Sequence, residues 1–106
     1  MGQTISINTR HGRISAWQAK PRVAPRGALI VVQEIFGLNS HIRQVADRFA
    51  NYGYVVIAPA LFDVLHPGTE LGYDEDGVAR GRAIATELGF NGALDGVRGA
   101  FDHLEG

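Results

Sequence analysis

Glu34 stands at the end of the run Ala28-Leu29-Ile30-Val31-Val32, just past Gln33 and before Ile35-Phe36-Gly37. A carboxylate at the tip of a wholly apolar segment needs a partner or a task. Uninterrupted β-branched residues predict a strand buried on both faces, and in open α/β sheets the carboxyl ends of such strands border the ligand crevice. Gln33 and Glu34 therefore leave the apolar run where a crevice is expected, and acid–base or electrostatic work is the chemistry a carboxylate can do there. The bland alternative is an acid solvated at the edge of the fold.

Other residues invite chemistry less well. Ser40-His41 pairs a hydroxyl with an imidazole, but neighbours at a helix start point apart, and Asn39 or Ser40 serves naturally as the N-cap. His66, beside Pro67-Gly68, reads as a loop residue without an assigned role, and His11 and His103 have no further ligand at a sensible spacing. The cluster Asp74-Glu75-Asp76-Gly77 lacks the alternating oxygen ligands of a calcium loop and suits a helix entrance, where acids are favourable. Gly68, Gly72, Gly77 and Gly81 are too dispersed to cradle a phosphate, and no Gly-Lys-Ser/Thr follows them. No metal or cofactor is expected.

The elements that must position Glu34 follow from pattern. Residues 4–19 alternate around His11-Gly12 and predict a hairpin; 20–27, with two prolines, form a connector. After strand 28–35 and loop 36–40, Ile42, Val45, Ala46, Phe49 and Ala50 recur at helical spacing up to Gly53, a stop signal. Tyr54 to Ala58 is a second short apolar strand halted by Pro59. Strand, helix and strand in succession make a right-handed crossover between parallel strands, so the fold class is α/β. Residues 59–74 predict a long irregular loop. Val78 to Leu88 predict a helix weakened by glycine, and Asn91 is a plausible N-cap for a last helix whose stripe is Leu94, Val97, Phe101 and Leu104.

Composition bounds the rest. With 106 residues, 45% of them apolar and 20% charged, one domain with a small core is expected. A net charge of −1 gives no sign of nucleic acid or an anionic membrane as partner. The absence of cysteine removes disulfides, thiolate metal sites and a thiol nucleophile from these residues. Neither a signal peptide nor an apolar run of bilayer length is evident, so a cytoplasmic location is the expectation.

The order of the hairpin, Gln33-Glu34-Ile35-Phe36-Gly37-Leu38-Asn39, Asn51-Tyr52-Gly53-Tyr54 and Ala58-Pro59-Ala60-Leu61-Phe62 resembles the N-terminal half of dienelactone hydrolases, a branch of the α/β-hydrolase fold, over nearly the whole chain. The resemblance implies a single domain, 1–106, truncated before the nucleophile elbow. It also implies hydrolysis of carboxylate-bearing esters or lactones by covalent acyl transfer. In that family a cysteine on a strand-to-helix elbow is assisted by a histidine and an aspartate from later in the chain. None of these is matched, and no Gly-x-Cys-x-Gly or Gly-x-Ser-x-Gly occurs. What the resemblance carries over is Glu34 as the glutamate contacting the resting nucleophile, the Ile35 amide as an oxyanion donor, and Phe36 beside the substrate. Arg80 or Arg82 matches the arginine that grips the substrate carboxylate. Ala60 departs from the aspartate that many relatives place after the proline.

Alone, the chain is expected to be inactive by this mechanism. The alternative is a non-catalytic anion-binding or protein-interaction module on the same fold. In the hydrolase strand order, strand 28–35 has one free side, which predicts pairing with a second copy or with the missing C-terminal half.

Overall fold

The computed structural model describes residues 2–106. Two antiparallel strands, β1 (Gln3–Thr9) and β2 (Gly12–Ala19), form the expected hairpin, and the Thr9 hydroxyl donates to the Gly12 carbonyl across the turn at 2.7 Å. A short strand β3 (Gly27–Ile30), the helix α1 (Ser40–Asn51) and a strand β4 (Tyr54–Pro59) complete the crossover. The sheet order is β1-β2-β4-β3, with β4 antiparallel to β2 and parallel to β3.

As the middle strand, β4 is covered on both sides. Val56 faces Ala19, Ala46 and Ala50 beneath α1, while Ile57 faces Ile7, Ile14, Ala16 and Ala100 on the opposite side. Successive residues thus feed two separate cores, the two-residue period of a strand. Helix α1 begins at Asn39, whose Oδ1 accepts from the Ile42 amide at 3.1 Å while its Nδ2 donates to the Tyr73 hydroxyl at 3.0 Å. A cap of this kind contributes about 1 kcal/mol. Ser40 and His41 are both exposed, in keeping with a capping rather than a nucleophilic reading of this segment.

Two expectations need correction. The strand expected over 28–35 is regular only over Gly27–Ile30. The Val31 amide still reaches the Ile57 carbonyl at 2.9 Å, but the next donor from β4 in a parallel ladder is Pro59, which has no N–H. The chain leaves the sheet there.

The two helices expected at 78–88 and from Asn91 are both present, as the two halves of α2 (Glu75–Glu105), separated at Gly89, whose φ of 73° and ψ of 170° are not helical. A non-glycine side chain rarely adopts that backbone, so the bend falls on glycine. Asp74 caps the helix, its Oδ1 accepting from the Gly77 amide at 2.8 Å.

The stripe Leu94, Val97, Phe101 and Leu104 is only partly the packing face: Leu104 packs on the core and Val97 is half-buried, whereas Leu94 and Phe101 stay about half exposed, at 47% and 51%. The buried face is Gly96, Gly99 and Ala100. A Cβ on Gly99 would come within 2.7 Å of the Asn8 carbonyl, and one on Gly96 would collide with Leu61, so small residues let α2 lie directly on the hairpin.

Candidate active site

Past Val31 the backbone turns through residues 34–37, closed by the Gly37 amide donating to the Glu34 carbonyl at 3.2 Å. Segment 69–71 runs alongside: Gly37 bridges to Glu70, and the Leu71 amide donates to the Phe36 carbonyl at 2.9 Å. The turn is thereby fixed at the carboxyl end of β3, the place where open α/β sheets bind ligands. A cleft of about 240 Å³ opens beside it, walled by Val32, Gln33, Glu34 and Ile35, by Leu61 and Phe62 of the short 3₁₀ helix Leu61–Val64, and by Ala85, Leu88, Gly89 and Ala93 of α2.

Glu34 and Ile35 share this cleft. Glu34 is exposed, and among the described residues no cation lies within ion-pair distance of it. The Ile35 amide donates to no protein acceptor among the described residues. Two residues that line one apolar-walled recess thus carry a carboxylate and a backbone donor without a protein partner among the described residues.

Gln33 ties the recess together. Its Oε1 accepts from the Leu61 amide at 2.8 Å, and its Nε2 donates to the Glu34 carbonyl at 3.0 Å.

The other expected site residues lie outside the lining. Phe36 packs edge-on against Tyr73 with ring centroids 4.4 Å apart. Arg80 and Arg82 are exposed on α2, on either side of Gly81, which is buried against the Ile35 carbonyl so closely that a Cβ would clash with it. Both arginines are thus anchored one residue from a contact with the Glu34-Ile35 turn.

Gly81 and Gln33 are structural members of the site to which sequence reasoning assigned no role. A glycine inside a helix signals close backbone approach, whereas Gln33 carried no signal beyond its place in the run. The histidines stand elsewhere: His11 pairs with Asp95 at 2.7 Å, and His66 lies 3.4 Å from Glu87. Among the described residues no group of three or more potential metal ligands gathers, and no helix is long and apolar enough to cross a membrane.

A mixed sheet ordered β1-β2-β4-β3 with a parallel crossover, covered by helices, is part of an α/β-hydrolase fold. The chain belongs to the dienelactone hydrolase family, whose sequence model matches residues 14–103. A Synechocystis protein named as a carboxymethylenebutenolidase is 43% identical over 81 residues, covering 76% of this chain and 33% of that one. A dienelactone hydrolase structure from Klebsiella pneumoniae is 36% identical, with a TM-score of 0.58 over 63% of this chain and 29% of its own. The structure called m3DLH shares the fold at a TM-score of 0.71 and 24% identity, over 96% of this chain and 41% of that one. The chain spans a third of the length of the Synechocystis relative.

Proposed function

We propose that the 106 residues act as one unit, the N-terminal half of a hydrolase domain, and supply one wall of an acyl-transfer site for carboxylate-bearing esters or lactones. Glu34 contacts the nucleophile, the Ile35 amide stabilises the oxyanion, and Arg80 or Arg82 takes the substrate carboxylate, with Phe36 beside it. The nucleophile comes from polypeptide outside these residues. The observation that carries this reading is the shared cleft of Glu34 and Ile35, each without a protein partner among the described residues, because preorganised donors aimed at developing charge are the largest usual contribution to acyl transfer.

The complementary polypeptide joins along the outer side of β3. That strand is at the edge of the sheet, beside the apolar cleft, and an exposed edge is a template for pairing.

The test mixes the chain with the C-terminal part of a family relative and follows hydrolysis of a carboxylate-bearing lactone and of a neutral aryl ester. Turnover is expected only from the mixture, with a 1:1 complex by light scattering. Glu34→Ala is expected to lower kcat on the order of a hundredfold on both substrates. Losing a charged hydrogen bond from either Arg80→Ala or Arg82→Ala raises KM about tenfold or more for the lactone alone. Undiminished turnover in Glu34→Ala defeats the assignment, and so does an arginine effect that is equal on both substrates.

A further inference from the structure

Gln33 sits where the parallel ladder fails. Pro59 offers no N–H to the Val31 carbonyl, and the Leu61 amide, two residues on, is taken instead by the Gln33 side chain at 2.8 Å. The same side-chain amide donates through Nε2 to the Glu34 carbonyl at 3.0 Å, the shorter of the two hydrogen bonds this oxygen accepts, the other coming from the Gly37 amide at 3.2 Å. That carbonyl belongs to the Glu34–Ile35 peptide, whose N–H is the Ile35 donor without a protein acceptor among the described residues, on a residue that lines the cleft. A peptide is a rigid plane, so a bond that fixes its oxygen fixes the direction of its N–H as well. A hydrogen bond accepted by the carbonyl also polarises the unit and strengthens the N–H as a donor.

We propose that Gln33 is the positioning residue of the oxyanion donor: it anchors the Glu34–Ile35 peptide to the end of β4 through Leu61 and holds the Ile35 amide aimed into the cleft. The inference rests on the acyl-transfer reading for its purpose, but the geometric claim concerns this chain alone. Gln33 does not touch the reacting atoms. It acts through the peptide that does.

Two variants separate anchoring from aiming. Gln33→Glu keeps an acceptor for the Leu61 amide and loses the donor to the Glu34 carbonyl, while Gln33→Met loses both at similar size. In nitrogen-15 spectra of the chain alone, the Ile35 amide proton moves upfield in both variants. Exchange of the Leu61 amide speeds up about tenfold in Gln33→Met and stays near its original rate in Gln33→Glu. In the reconstituted enzyme both variants lose about tenfold in kcat with KM little changed, the mark of an interaction strengthened in the transition state.

An Ile35 resonance at its original position in both variants overturns the inference, as does a Gln33→Glu enzyme with full kcat. The spectra are read without substrate or complement, whereas the acyl-transfer reading stands or falls on Glu34→Ala kinetics. Failure of one is thereby distinguished from failure of the other.

Discussion

Gly37→Ala lowers the free energy of unfolding by about 3–4 kcal/mol, a large part of the whole margin expected for a domain of this size. Two costs combine. Gly37 has φ 88°, a region that disfavours an L side chain by about 1–2 kcal/mol. Its Cβ would also be driven into the Thr69 carbonyl, and overpacking costs about 1–3 kcal/mol. Relief is blocked because both strands are held, by the Gly37–Glu70 bridge and by the Leu71 amide on the Phe36 carbonyl.

Gly68 is the control. It has φ 76° with nothing within 4 Å of an added Cβ, so Gly68→Ala carries only the backbone cost, about 1–2 kcal/mol. Urea unfolding of the two variants isolates the contact. Equal losses would contradict the close packing of segment 69–71 on the Glu34–Gly37 turn, and with it the support of the Ile35 amide.

Ile57→Ala is expected to cost about 4 kcal/mol, in the upper half of the range for large-to-small substitutions in a core. Ile57 is fully buried at the centre of the sheet and packs with Ile7, Ile14, Ala16 and Ala100. Its strand is hydrogen-bonded on both sides, to β2 and to β3, so the walls of the cavity have little freedom to close. Ile57→Val removes one methylene and costs about 1 kcal/mol. A loss below about 1 kcal/mol in the alanine variant, measured by urea unfolding, would show that the hairpin and α2 do not pack over β4 as described.

The parts of this fold that were legible in the sequence depend on neighbours in the chain. Alternation around His11-Gly12 gave the hairpin, helical spacing from Ile42 to Ala50 gave α1, and the apolar run after Gly53 gave β4. Glu34 and Ile35 could be placed at a strand tip for the same reason.

What was not legible depends on distant partners. The strand predicted to reach residue 35 stops early because Pro59, far along the chain, cannot continue its ladder. Leu94 and Phe101 look like a core stripe, yet α2 turns Gly96, Gly99 and Ala100 inward, since closeness to Asn8 and Thr9 outweighs the burial of larger side chains there. The role of Gln33 requires knowing that the Leu61 amide is nearby, which nothing in the local pattern conveys.

The central claim is that the Ile35 amide is an oxyanion donor in an acyl-transfer site. Its most direct test is the nitrogen-15 spectrum of the labelled chain, joined to the nucleophile-bearing part of a relative and reacted with an aryl phosphonate that mimics the tetrahedral intermediate. A large downfield shift of the Ile35 amide proton and strong protection of it from exchange are expected. An Ile35 resonance that stays in place while the nucleophile is fully phosphonylated would contradict that role.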